Sequence, residues 1–183
     1  MKKILTLAAS TSSTSINAKL VAFASLQLSE LSTIEVISLN LKDYDMPLFC
    51  EDRKKESGVP APAQKFKKLI SECDALLISF AEHNGTYTAA FKNLLDWTSV
   101  LEGSMWQEKP MCLLATSPGG RGGKGVLQAA SDRFPRMGGK VLASFSLPSF
   151  KDHFEEGLGI TDEKLAQQLA EVLNSFNDQL MKS

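Results

Sequence analysis

The sequence predicts an α/β fold of three layers: a doubly wound, parallel, five-stranded sheet with helices on both faces. Three observations carry that expectation. Short apolar runs alternate with longer stretches of three- and four-residue periodicity, and strands that alternate with helices need crossover connections, which make a sheet parallel. The run Ala75-Leu76-Leu77-Ile78-Ser79-Phe80 is apolar without alternation, as a strand covered on both faces must be. Finally, 183 residues with 43% hydrophobic and 22% charged content can bury roughly 70% of the unfolded surface, so the core needs no disulfide or metal.

Taken in order, Lys3 to Ala9 reads as a buried first strand. Ser15 to Leu31 follows as a helix, with Leu20, Phe23, Ala24, Leu28 and Leu31 along one stripe. Ile34 to Leu39 is the second strand. Asn40 to Pro62 carries proline, glycine and mixed charge and reads as a long loop. Helical spacing resumes from Ala63 to Cys73 through Phe66, Leu69 and Ile70, and Ala75 to Phe80 is the third strand. Tyr87 to Leu101 is a helix with Phe91, Leu94, Leu95 and Thr98 on one side. Pro110 to Ala115 is the fourth strand, and Gly123 to Met137 a helix opened by glycines and ended near Pro135. Lys140 to Phe145 is the fifth strand. Thr161 to Met181 closes the chain as a helix, with Asp162 and Glu163 at its positive end and Leu165, Leu169, Val172, Leu173, Phe176 and Leu180 on one face. Five such strands take the flavodoxin-like order 2-1-3-4-5. No linker or composition shift divides the chain, so residues 1–183 are expected to form a single domain.

Charge and cysteine content exclude several classes. The formal net charge is -1, and nucleic-acid affinity comes mainly from clustered Lys and Arg. The one basic cluster, Arg53-Lys54-Lys55, sits beside Glu51, Asp52 and Glu56 and reads as a solvated loop. Cys50, Cys73 and Cys112 form no C-x-x-C pair, against a disulfide framework or zinc site. Cys73 and Cys112 read as buried thiols, and Cys50 as a loop residue with no base near it in sequence. The stretch Ile4 to Ala9 is too short for a signal peptide, and no run approaches the ~20 apolar residues of a membrane helix. The expected protein is soluble and cytoplasmic, with no nucleic-acid or membrane partner.

The unusual residues fall after strands one, three and four, where open parallel sheets bind ligands. Ser10-Thr11-Ser12-Ser13-Thr14-Ser15-Ile16-Asn17 places six consecutive hydroxyl residues before the first helix. Free N–H groups and the helix dipole favour an anion there, although one serine would suffice as a cap in a solvated loop. Neither a G-x-x-x-x-G-K nor a G-x-G-x-x-G motif is present. Ala81-Glu82-His83-Asn84-Gly85-Thr86 carries a strong turn dipeptide whose backbone can read the polar edge of a heterocycle. A proton-transfer role for His83 is the lesser reading beside a plain polar or stacking surface. Ser117-Pro118-Gly119-Gly120-Arg121-Gly122-Gly123-Lys124-Gly125 has five glycines in nine residues. That entropy cost suits close approach to a flat ring, with a flexible loop as the alternative.

Together these segments resemble the NADPH-dependent FMN reductase family, which includes bacterial quinone, chromate and azo-dye reductases. Ser10, Ser12, Ser15, Asn17 and Leu20 fall on a pattern like G-S-x-R-x-x-S-x-N-x-x-L, with Ser12 where the family usually has Arg. Ala81 to Thr86 and Phe91-Lys92-Asn93-Leu94-Leu95-Asp96-Trp97 fall on P-E-Y-N-G-S followed by L-K-N-x-x-D-W, with Ala81 for Pro and His83 for Tyr. The third segment is similar to the family's S-x-G-x-x-G-G loop.

The resemblance implies a flavodoxin-like fold and FMN as cofactor. Its phosphate would lie on Ser10, Ser12, Ser15, Ile16 and Asn17, and its ring against Ala81, Glu82, His83, Asn84, Gly85, Ser117, Pro118, Gly119 and Gly120. It implies NAD(P)H as co-substrate and ping-pong hydride transfer to quinones, free flavin, metal ions or azo compounds, without a catalytic side chain or a metal. It also implies a homodimer or tetramer with the helix Tyr87 to Leu101 at the interface, where Trp97 and Trp106 would find their role. The alternative is a flavodoxin-like module with weak or lost FMN binding, acting as an electron carrier or interaction protein. Asn40 to Pro62 and Leu147 to Ile160 are expected to frame the acceptor site.

Overall fold

The computed structural model describes residues 1–182. Five strands, β1 (Lys2–Ala9), β2 (Ile34–Leu39), β3 (Ala75–Phe80), β4 (Pro110–Thr116) and β5 (Lys140–Leu147), form one sheet in the order β2-β1-β3-β4-β5. All neighbours run parallel, as expected from the alternation. Besides a single helical turn at Phe150–His153, the helices are α1 (Ile16–Leu31), α2 (Glu51–Ser57), α3 (Ala61–Glu72), α4 (Ala89–Ser99), α5 (Lys124–Arg133) and α6 (Glu163–Lys182).

Each strand's two faces feed two cores. Leu5, Leu7, Leu76, Ile78 and Phe80 meet Phe66 of α3, Phe91 and Leu94 of α4 and Val126 of α5. Ile4, Leu77, Leu114 and Phe145 meet Leu20 and Leu28 of α1 and Leu169, Leu173 and Phe176 of α6. Phe80 is fully buried, with its ring against those of Tyr87, Phe91 and Phe134. Truncating such a residue costs about 3–5 kcal/mol. The ends of β1, β3 and β4 are thus anchored by both cores, and the loops that leave them start from fixed points.

Three expectations need correction. Residues 40–62 are not one loop: a 3-10 turn spans Leu41–Tyr44, α2 follows, and α3 begins at Ala61. Helix α2 has no buried residue and hence no apolar stripe to read. It rests on Glu51 and Asp52 in its first turn, Lys54 and Lys55 in its last, and a Glu51–Lys54 ion pair at 3.4 Å. Pro62 is admitted to α3 because it occupies the first turn, where its missing N–H is not needed. The helix predicted to Met137 ends at Arg133 and tightens into a 3-10 turn, Phe134–Met137, around Pro135. Trp97 and Trp106, assigned above to a subunit interface, are both fully buried in this chain's own interior. Trp97 donates its ring N–H to the Pro47 carbonyl at 2.7 Å, and Trp106 packs on Phe66 and Phe134.

Candidate functional site

At the carboxyl ends of β1, β3 and β4 the three unusual loops converge on a cleft of about 250 Å³. Ten of the predicted residues line it: Ser10, Ser12, Ser15, Ile16 and Asn17 from the first loop, Ala81, Glu82 and His83 from the second, Ser117 and Pro118 from the third. Thr14 and Thr116 complete the wall and were missed. Asn84, Gly85, Gly119 and Gly120 lie on the same loops but outside this wall.

The first loop presents donors because α1 starts there. Ser15 caps the helix, its Oγ accepting from Ala18 N–H at 3.2 Å, and Lys19 N–H bonds the Ser15 carbonyl. The N–H groups of Ile16 and Asn17, first and second in the helix, keep no intrahelical partner. Ser10, Ser12 and Thr14 fold the preceding turn on themselves: Ser12 N–H donates to Ser10 Oγ and Thr14 N–H to Ser12 Oγ, each at 3.2 Å. No Lys or Arg lines the cleft. Positive potential therefore comes from the helix end alone, and Lys19, one turn in, is paired with Glu156.

The side chain of Asn17 is engaged within the protein. It is 2% exposed, and its amide spans the sheet ends: Nδ2 donates to the Thr116 carbonyl at 3.1 Å. Oδ1 accepts from Thr116 N–H at 3.0 Å and from the Ser79 hydroxyl at 2.7 Å. The side chain acts as a surrogate peptide that locks the first loop to β3 and β4, leaving the backbone N–H for a ligand. Thr88 does the same at the next junction, capping α4 and donating to the Ala9 carbonyl at 3.0 Å. Sequence reasoning found neither Ser79 nor Thr88, since each reads as an ordinary residue in its own segment.

The second loop is a tight hairpin in which Glu82 and His83 pair with Tyr87 and Thr86. Asn84 and Gly85 take φ of 51° and 78°, the left-handed pair that a two-residue hairpin turn demands. Glu82 turns its carboxylate to the start of α5, accepting from Val126 N–H at 2.9 Å. That carboxylate thus neutralises the neighbouring helix end. His83 is exposed and makes no hydrogen bond among the described residues. Downstream, Asn93 accepts from Phe49 N–H at 2.8 Å and donates to the Met46 and Pro47 carbonyls, so the motif around Trp97 fastens residues 46–49 to α4.

The five glycines of the third loop divide by what a side chain would meet. A Cβ on Gly122, at φ +60°, would stand 2.5 Å from Ser146 Oγ and 2.9 Å from the Leu147 backbone. One on Gly123 would sit 3.0 Å from the Ala115 Cβ, and one on Gly125 2.8 Å from Glu82 Oε2. The fold itself requires Gly122 and Gly123, both at positive φ, while a side chain at Gly125 would have to displace the Glu82 carboxylate. Gly119 and Gly120 would meet nothing within 4 Å, and neither has positive φ. Segment 147–160 braces the same loop from behind, Ser149 and Phe150 donating their N–H groups to the Gly119 and Ser117 carbonyls.

A larger groove of about 620 Å³ runs between the outer edge of β5 and α6. It is walled mainly by strand and helix side chains and takes only Lys124 from the three unusual loops, so size does not identify the site here.

Comparison with known proteins agrees with this geometry. A family model described as NADPH-dependent FMN reductase matches residues 2–152. The chain is 34% identical over 103 residues to a quinone reductase of Pseudomonas putida, covering 56% of this chain and 55% of that protein. It is 29% identical over 140 residues to an NADPH:quinone oxidoreductase of Arabidopsis thaliana, covering 72% and 68%. The chain thus spans about half the length of the Pseudomonas relative. In fold it is similar to the flavoenzyme NAD(P)H:(acceptor) oxidoreductase FerB of Paracoccus denitrificans, at a TM-score of 0.75 and 24% identity, over 100% of this chain and 98% of that one.

Proposed function

The chain belongs to the NADPH-dependent FMN reductase family, and from that premise we propose that it binds FMN in the strand-end cleft and works as an NAD(P)H-dependent quinone reductase. The observation that carries the reading is the convergence of three loops on one cleft with unused donors at the α1 end, the third loop continuing past the wall into two open glycines. The residues fit the cofactor. The Ile16 and Asn17 N–H groups with the hydroxyls of Ser10, Ser12 and Ser15 suit a phosphate. Gly119 and Gly120 have no protein-internal reason to lack a side chain, and a flat ring close to their backbone supplies one.

When bound, FMN supplies two-electron chemistry, accepting hydride from NAD(P)H and reducing an acceptor in turn. The chain's own part is binding and orientation. Asn17, Ser79 and Thr116 hold the two ends of the cleft at a fixed spacing. With the ring against Ser117 to Gly120, the N–H groups of Ser117, Gly119 and Gly120 would be the donors available to stabilise negative charge on it. Glu82, by capping α5, keeps its carboxylate turned away from the phosphate end.

A quinone is the favoured acceptor because both curated relatives carry that name. A second groove of about 430 Å³ bordered by Thr11, with Leu41, Tyr44, Met46, Leu48 and Ala90 in its wall, offers apolar surface beside the first loop. Turnover in ping-pong order, in one domain spanning the chain, in the cytoplasm and as a homodimer or tetramer, belongs to the same proposal. So do free flavin, metal ions and azo compounds as further acceptors. The test is anaerobic: titrate the purified chain with FMN, add NADPH, then benzoquinone. Bleaching of the flavin bands by NADPH and their return on benzoquinone are expected. A chain that takes up no FMN, or holds FMN that NADPH leaves oxidised, would sink the reading.

A further inference from the structure

Behind the first loop, on its β2 side, lies another cavity of about 240 Å³ that the flavin reading does not use. Ser10, Ser12 and Ser15 line both this cavity and the flavin cleft, so the loop is a shared wall with hydroxyls available to either side. The polar remainder of the cavity is Thr6, Ser38 and Asn40. Thr6 and Ser38 are direct neighbours in the β1–β2 register, on the sheet face that α1 covers over β1, β3 and β4. Thr6 is 3% exposed, and its hydroxyl has no hydrogen-bond partner among the described residues. Its oxygen is not sealed from solvent and borders the cavity, so a group that enters can bond it. Asn40 spends its Oδ1 on Lys42 N–H at 3.2 Å and keeps its amide N–H groups. Val21, Leu39 and Leu41 supply apolar wall, and no charged side chain borders the space.

Neutral hydroxyl and amide groups on one side and aliphatic surface on the other match a nucleoside, its ribose hydroxyls and its purine face. The cavity's position selects which nucleoside compounds can use it. It adjoins the phosphate end of the flavin cleft across one strand-end loop at a helix N-terminus, where a second phosphate can follow the first. We propose that this cavity is an adenosine subsite, taking the adenylate half of a dinucleotide whose phosphates straddle the Ser10 to Ser15 loop. The inference rests on the placement of a flavin phosphate in the neighbouring cleft. The adenylate can come from FAD, attached to the flavin's own phosphate, or from NAD(P)H.

The test uses the full chain and calorimetric titration with AMP, FMN and FAD, together with the KM for NADPH of the FMN-loaded protein. Ser38→Trp fills the cavity from an exposed rim position, and Thr6→Val removes the hydroxyl that borders it with little change of shape. Wild type should bind AMP, and bind FAD at least as tightly as FMN. Ser38→Trp should weaken AMP and FAD at least tenfold while FMN stays within twofold, with Thr6→Val losing three- to tenfold in the same two titrations. If AMP weakens and the NADPH KM rises at least fivefold while FAD is unmoved, the adenylate is that of the nicotinamide nucleotide. AMP binding lost to Ser38→Trp while neither flavin binds would uphold the subsite and sink the flavin reading. FMN binding with AMP, FAD and NADPH indifferent to both substitutions, or with FMN and FAD weakened equally, overturns the inference.

Discussion

Asn17 shows how one side chain can serve a ligand it does not touch. Its three hydrogen bonds reach Ser79 and Thr116, 62 and 99 positions along the chain. Removing the amide strands a buried backbone N–H and a buried hydroxyl, at about 1–3 kcal/mol for each unsatisfied group. Asn17→Ala is therefore expected to lower unfolding free energy by roughly 2–5 kcal/mol in a urea titration. Asn17→Asp separates position from packing, because it keeps the shape and both accepted bonds but sets a carboxylate beneath the phosphate. FMN affinity should fall at least tenfold in that variant while riboflavin, which has no phosphate, binds as before. Equal losses for both flavins would mean that the phosphate does not sit there. The hydroxyl run before Asn17 was legible because six such residues in succession have no packing use. The role of Asn17 itself was not, since nothing local announces partners so distant in sequence.

At the scale of elements, helices with an apolar face could be read and those without could not. Residues 163–182 carry a full stripe and fold as expected, with Asp162 supplying the cap to Leu165 N–H at 2.9 Å. Helix α2 is held by charges at its two ends and leaves no periodicity to detect. The glycine loop was legible as unusual but not as divided, because composition cannot say which glycine faces protein and which faces open space. That division makes a prediction. Gly119→Ala and Gly120→Ala should leave stability unchanged or raise it by up to about 1 kcal/mol, since an added methyl chiefly restricts the unfolded chain. Gly122→Ala should cost about 1–3 kcal/mol from overpacking and a left-handed backbone. FMN titrations of the first two should show affinity down at least tenfold at native thermal stability. Unimpaired binding in both would remove the ring from that loop.

For the whole molecule, the strand order was legible because alternation and five strands leave few right-handed windings, whereas aromatic placement was not. The tryptophans looked like interface residues, yet both are buried in this chain, Trp97 against Phe49 and Trp106 in an aromatic cluster with Tyr87, Phe91 and Phe134. That cluster ties global stability to alkaline pH. Burial pushes the Tyr87 hydroxyl up to about 12, with nearby Arg133 opposing, and pushes the Cys112 thiol up to about 12 as well. Each folded-state value lies above the group's ordinary value of 10.0 or 9.0, so the folded state holds these protons longer than the unfolded state. The associated stability is complete below pH 9 and drains as pH climbs towards 12. Tyr87 can be removed cleanly, because its buried hydroxyl has no partner and Phe keeps the ring stacked on Phe134. Tyr87→Phe should match or slightly exceed wild-type Tm at pH 7 and lose less Tm between pH 10 and 12. Parallel curves across that window would show that the hydroxyl ionises as freely in the folded chain as in the unfolded one, and that the cluster admits water.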